Sequence, residues 1–181
     1  MLGLAHRTNR LVPHHPGWAA AYEEERARLA QALGRLAVGI EHYGSTAVPG
    51  LAAKPILDIL VGVDPLDHWQ DCREPLVELG YDYAASAGVP GHHIFGRGRD
   101  NTERTHLVHI VLFGGESWVS NLAFRDALRR DADLREQYMR VKRDAVEAAP
   151  DSRGRYNELK QDFIAAAKRA KVAVRQVISI R

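Results

Sequence analysis

Three observations predict an α+β fold for this chain. Strand-like runs concentrate between Val38 and Phe113, helix-periodic segments fill almost everything after Phe113, and no low-complexity linker divides the two. At 181 residues one domain spanning 1–181 is expected, long enough to bury a core without disulfides or structural metal.

The elements follow in order. After Pro16-Gly17, the apolar residues Trp18, Tyr22, Leu29, Leu33 and Leu36 recur at helical spacing, with Glu23-Glu24-Glu25 and Arg26 assigned to the opposite, polar face. Val38–Tyr43 reads as a strand ending at Gly44, and Ile56–Val63 as a second, buried one. Leu66, Trp69, Leu76 and Leu79 suggest a helix that Pro75 must shorten or kink, unless it begins a separate turn. Tyr81–Ala85 and His92–Arg97, separated by Gly88-Val89-Pro90-Gly91, read as a hairpin, and Thr105–Phe113 as a further strand. Three helices are expected along Trp118/Leu122/Leu128, Leu134/Tyr138/Val141 and Tyr156/Leu159/Phe163/Ile164; the tail from Val172 to Ile180 suits either a strand or a helix end.

Composition narrows the function. Twenty-five basic against twenty-three acidic residues leave a net charge of +2, too balanced for a general nucleic-acid binder, so any basic site must be local. The lone Cys72 allows no intramolecular disulfide and is expected in the core of a protein from a reducing compartment. The first ten residues hold no signal-like apolar stretch and no run reaches membrane-spanning length; no membrane contact and a soluble, cytoplasmic protein are expected.

The chemistry concentrates between Tyr43 and Val61. Gly44 permits close backbone approach to an anion, Ser45 and Thr46 offer hydroxyls and N–H groups, and Lys54 adds positive charge, a combination suited to phosphate. The same residues also suit an ordinary turn. Asp58 interrupts a buried strand, where a carboxylate is costly unless paired, protonated or metal-bound. Its face is shared with Ile56 and Leu60, so no second carboxylate stands beside it as a two-metal site requires. His106 and His109 are three apart on a strand, so at most one faces Asp58. Arg97, Arg99 and Arg104 flank the central strands, and Arg125 and Arg129 lie one helical turn apart, able to clamp an anion or to form a solvated face. Tyr138-Met-Arg-Val-Lys142 and Tyr156-Asn-Glu-Leu-Lys160 repeat a tyrosine and a lysine one turn apart on two helices.

The run from Glu41 to Asp58, with Arg104-Thr105-His106-Leu107-Val108-His109, Phe124-Arg125-Asp126-Ala127-Leu128-Arg129 and the two Tyr-x-x-x-Lys segments, resembles the GrpB family of the nucleotidyltransferase superfamily. The resemblance covers nearly the whole chain. It implies a nucleotidyltransferase-like small mixed β-sheet flanked by helices, with a helical C-terminal portion. It also implies a phosphorylated small molecule or nucleotide as ligand, since a related domain is fused to dephospho-coenzyme A kinase in some bacteria. The superfamily pattern assigns Gly44-Ser45 to the phosphate turn and Asp58 to the first metal acid, with His109 as metal ligand or general base where a third acid is expected. Ser45, Asp58 and His109 are thus the expected catalytic residues, and Asp58 and His109 the expected ligands of Mg²⁺. Gly44, Ser45, Thr46, Lys54, Arg104, His106, Arg125, Arg129, Tyr138, Lys142 and Lys160 are the expected substrate contacts. Leu60 stands where the pattern has its second acid, which leaves two readings: slow or altered Mg²⁺-dependent group transfer, or a module that binds a nucleotide or coenzyme A-related ligand without transferring anything.

Overall fold

A computed structural model describes residues 2–6, 8–85, 89–99 and 102–178, with side chains as far as Arg169. Its centre is a five-stranded mixed sheet in the order β2-β3-β7-β5-β4, built from β2 (Gly39–Tyr43), β3 (Leu57–Val63), β4 (Asp82–Tyr83), β5 (His93–Arg97) and β7 (His106–Leu112). β3 and β7 run parallel, and the other neighbours antiparallel. A two-residue ribbon, β1 (Leu4–Ala5) with β6 (Glu103–Arg104), ties the N-terminal segment to the sheet's connections.

Alternation along the strands sorts the residues onto two faces. Leu57, Ile59, Val61 and Val63 of β3, with Val108 and Ile110 of β7 and Phe95 of β5, pack under helix α1 (Gly17–Leu33) and the short α2 (Arg73–Glu78). Pro75 is tolerated in α2 because it lies in the first turn, where backbone N–H groups have no intrahelical acceptor; Leu66–Trp69 forms a separate 3₁₀ turn before it. Cys72 is buried in this core. Leu36 falls outside α1, which ends at Gly34 with φ 51°, a left-handed value that suits glycine. Glu25 corrects the sequence reading: instead of joining the polar face it is buried with Trp18, Tyr22, Leu29 and Leu33.

The opposite face carries Asp58, Leu60, Gly62 and His109, covered by α3 (Glu116–Arg130), α4 (Ala132–Ala148) and α5 (Arg153–Ile178). Gly62 and Gly39 form a floor for Trp118 and Phe113: a Cβ on either would come within 3.0 Å of these rings. Val48, Leu51, Phe124, Leu128 and Tyr138 make a second core between the helices and the loop leading into β3. The expected hairpin is present as β4 and β5, with Gly88 of its connection outside the described residues. The ambiguous tail continues α5 as far as Ile178, beyond which Ser179 and Ile180 lie outside the described residues. No described helix is long and apolar enough to cross a membrane.

Candidate functional site: a lysine-rich recess around Asp58

Tyr43, the last residue of β2, pairs in register with Asp58 near the start of β3, so the turn beginning at Gly44 is laid against the carboxylate. Gly44 has φ 72°, and a Cβ there would stand 2.5 Å from Asp58 Oδ2; both the conformation and the close approach require glycine. Ser45 opens a 3₁₀ turn, Ser45–Ala47, beside the Tyr138 hydroxyl of α4. Asp58 is partly buried, with 31% of its side chain accessible.

Three lysines converge on it from different elements. Lys54 comes from the loop before β3, which is pinned to the N-terminal segment by the paired backbone bonds of Val12 and Ala53. Its Nζ donates to Asn9 Oδ1 at 3.4 Å and lies 4.3 Å from the centroid of the Tyr156 ring. Lys142, 1% exposed, donates from Nζ to Ala52 O at 2.5 Å and lies 5.5 Å from the Tyr138 ring one turn earlier in α4. Lys160 stands 4.1 Å from the Tyr156 ring one turn earlier in α5. The repeated Tyr-x-x-x-Lys therefore builds two walls of one recess, each tyrosine face supporting a lysine through cation–π attraction. Arg153 adds a fourth cation; its Nη2 donates to Ala5 O at 3.4 Å and its buried Nε has no partner.

The electrostatics follow from burial. Loss of water pushes Asp58 up to about 6 against the pull of Lys54, Lys160, Lys142 and Arg153. It pushes Lys54 down to about 7, aided by Lys160 and Arg153, and Lys160 down to about 8 against the pull of Asp58. Lys142 is driven well below the ordinary lysine value by burial and by the two neighbouring lysines. Among the described residues none of the three lysines comes within ion-pair distance of a carboxylate. The recess gathers four basic groups around one carboxylate, and burial favours the neutral form of its lysines.

His109 forms the remaining wall. Its Nε2 is 3.9 Å from Asp58 Oδ1 and has no hydrogen-bond partner, its Nδ1 lies 3.2 Å from His92 Nδ1, and the Tyr43 ring meets it edge-on. Burial, with His92 beside it, lowers its pKa to about 3, so the imidazole is neutral. Asp58 and His109 are two potential metal donors, and no group of three His, Cys, Asp or Glu suited to a metal occurs among the described residues. With lysines surrounding it, this donor set does not form a protein cage for Mg²⁺.

Gly44, Ser45, Lys54, Asp58, His109, Tyr138, Lys142 and Lys160 are thus brought together. The other expected contacts are committed elsewhere. His106 lies on the opposite face of the sheet against Arg97 and Thr105, as the odd spacing from His109 demands. Thr46 Oγ1 is 3.0 Å from His42 Nε2, in a pair that stacks toward Tyr22. Arg104 grips Asp82 with both terminal nitrogens, and Arg125 spans Glu41, the His42 carbonyl and Asp126. Arg129 donates to Ala47 O and so braces the Ser45 turn from outside.

Asn9, Arg153 and the double use of Tyr156 escape a reading of the sequence. Asn9 donates from Nδ2 to Ala149 O and Ser152 O, which fixes the α4–α5 corner while its Oδ1 receives Lys54. No local pattern marks an asparagine whose partners lie 140 residues away. The Tyr156/Lys160 echo signals one lysine on that ring, and the second arrives only through folding.

The family model described as "GrpB protein" matches residues 8–170. The "Glutamate-rich protein GrpB" of Alkalihalophilus pseudofirmus is 34% identical over 146 residues, covering 79% of this chain and 84% of that one. A dephospho-CoA kinase of Mycolicibacterium paratuberculosis is 33% identical over 157 residues, which cover 74% of this chain and only 39% of the kinase. Among solved structures, the conserved protein GrpB from Enterococcus faecalis superposes with a TM-score of 0.80 and 32% identity over 92% of this chain and 99% of its own. A cytoplasmic RNA terminal U-transferase aligns at a TM-score of 0.49 and 17% identity over 75% of this chain and 42% of its own, too distant to assign an activity. With a family model spanning the sheet, the recess and most of the helical layer, and a closely superposable relative, the chain belongs to the GrpB family.

Proposed function

We propose that this protein binds a phosphorylated small molecule, a nucleotide or a coenzyme A-related compound, in the recess around Asp58. The observation that carries the reading is the cation surplus: Lys54, Lys142, Lys160 and Arg153 surround one carboxylate, and none of the three lysines is paired with it. Holding like charges together in a dry site is unfavourable, and a phosphate dianion would offset that cost while its oxygens accept charge-assisted hydrogen bonds. Ser45 and the backbone of its turn supply neutral donors beside the cations. Coenzyme A precursors are natural first ligands because proteins named dephospho-CoA kinase carry a matching region.

A second reading, Mg²⁺-dependent nucleotidyl or related transfer, draws support from the accessible edge of Asp58 with His109 beside it. In that case the metal would arrive with the ligand's phosphates, with Asp58 and His109 completing its shell. Calorimetric titration of nucleotides, coenzyme A precursors and sugar phosphates, with and without Mg²⁺, into wild type and Asp58→Asn separates the two. If the ligand alone fills the recess, Asp58→Asn removes a repulsive carboxylate and binding is equal or tighter without metal. If the metal bridges, Asp58→Asn abolishes a Mg²⁺-dependent affinity. No binding of any phosphorylated compound by wild type would sink both.

A further inference from the structure

Among the recess cations, Lys54 hydrogen-bonds to a side chain, that of Asn9, whereas Lys142 and Arg153 use the backbone carbonyls of Ala52 and Ala5. Asn9 is 5% exposed, and both ends of its amide are engaged. Its backbone N–H donates to Pro150 O at 2.8 Å and its Nδ2 to Ala149 O at 2.7 Å and Ser152 O at 3.0 Å, which leaves Oδ1 to receive Lys54 Nζ at 3.4 Å. This position needs donors and an acceptor on one short side chain. Asparagine supplies them, whereas an aspartate would turn an oxygen toward two carbonyls.

The bonds to the α4–α5 corner reach the aromatic neighbour of the lysine. Ser152 O also accepts from the Tyr156 N–H at 2.9 Å, and the Tyr156 ring lies 4.3 Å from Lys54 Nζ and 4.1 Å from Lys160 Nζ. Asn9 therefore fixes Lys54 and the start of α5 relative to each other. The backbone on either side of Lys54 is fastened without it, because Gly3 N–H donates to Pro55 O while Val12 and Ala53 exchange paired bonds. What Asn9 adds is the placement of the ammonium.

We infer that Asn9 is a positioning residue of the phosphate site, holding the Lys54 ammonium against the Tyr156 wall so that a ligand's phosphate meets it already ordered. The inference rests on the recess being a phosphate site. With one N–H bond spent on Asn9, the ammonium keeps two for phosphate oxygens. The two bonds that Nδ2 donates polarise the amide and make Oδ1 a stronger acceptor. Without Asn9 the flexible stem of Lys54 is free to turn, and ordering it again on binding costs affinity.

Calorimetric titration of inorganic phosphate into the full chain, for wild type, Asn9→Ala, Lys54→Met and the double variant, tests this. Asn9→Ala should weaken binding about fivefold, the cost of ordering one long side chain. In the Lys54→Met background the same substitution should change affinity by less than about twofold, since its effect passes through the lysine. Asn9→Asp, which neutralises Lys54 and repels the anion, should weaken binding more than Asn9→Ala. A residue that merely held the corner would lower the melting temperature and leave phosphate affinity unchanged, or weaken it equally in both backgrounds; either result overturns the inference. One readout needs no variant to fold: in wild type the Asn9 side-chain amide signals of a nitrogen–proton correlation spectrum should shift with phosphate at the calorimetric midpoint. Signals that stay in place at saturation overturn the inference as well. A wild type that binds no phosphate removes the recess reading and this inference together, whereas binding that Asn9→Ala leaves intact removes this inference alone.

Discussion

The two faces of the sheet each bury a charged cluster, and they balance it in opposite ways. Under α1, Glu25 accepts from the Tyr81 hydroxyl at 2.7 Å, from Arg97 at 2.6 Å and from Arg28 at 2.8 Å, with His106 Nδ1 3.2 Å from Arg97 Nη2. Burial pushes the Glu25 carboxyl upward, but Tyr81, Arg97, His106 and Arg28 together outweigh it and hold the pKa below the ordinary value. That cluster is complete. Under α3–α5, Asp58 stays above its ordinary value despite four cations, and its lysines are held by an amide, a carbonyl and two aromatic rings. Both clusters are desolvated, so the difference lies in pairing: one face uses its charges to hold the fold, the other keeps them available.

The comparison breaks most readily at Glu25. Glu25→Ala leaves Arg97 without its carboxylate in the interior and should destabilise the protein by ~3–5 kcal/mol in denaturant unfolding. A loss below about 1 kcal/mol, the value of a surface pair, would show the cluster to be solvated. On the other face the same operation has the opposite sign. Lys54→Met removes an unpaired buried cation and should stabilise the ligand-free protein by roughly 1–3 kcal/mol. It should weaken binding of a phosphorylated ligand by about tenfold, the loss of one charge-assisted contact. Destabilisation together with unchanged affinity would make Lys54 a structural residue.

Gly44→Ala forces a Cβ into a backbone at φ 72° and toward Asp58 Oδ2. It should cost about 1–2 kcal/mol and displace the carboxylate. A variant as stable as wild type would mean the turn can swing away from β3.

The subtlest readout is the pH dependence of stability above neutrality. Lys54 titrates at about 7 and Lys160 at about 8 when folded, against 10.5 for an ordinary lysine. Between pH 7 and 10 the unfolded chain therefore binds more protons than the native one, and stability rises with pH, by up to about 1.4 kcal/mol per pH unit for each lysine. Lys54→Met should flatten this rise in thermal melts. The acid limb comes from both faces: His42, His92 and His106 titrate at about 4 and His109 at about 3, against 6.5 unfolded, so stability falls as pH drops from 6.5 toward 4. Asp58, raised to about 6 from 3.8, works the other way in that window as one group against four. A melting temperature flat from pH 7 to 9 in wild type would contradict the unpaired state of the lysines.

Much of the fold is legible in the chain because strand alternation and helical spacing are local. His106 and His109 show it, since a separation of three on a strand sends them to opposite faces, one into each cluster. Glu25 shows the limit. It lies three residues after Tyr22 and four before Leu29 on the buried stripe of α1, yet a charged residue among glutamates reads as surface until Arg97 and Tyr81 are known to meet it. The arginines fail for the same reason: Arg104 and Arg125 carry suitable chemistry, but their carboxylate partners Asp82 and Glu41 come from distant parts of the chain.

What the sequence by itself determined is the order of elements, the glycine turn before a strand with one carboxylate, and the repeated tyrosine–lysine pair, because each is a relation between near neighbours. Only the tertiary structure decided which charges are neutralised. Pairing depends on distances between segments such as α1 and β5, or α5 and the loop before β3, and on the burial that makes each unpaired charge costly enough to matter.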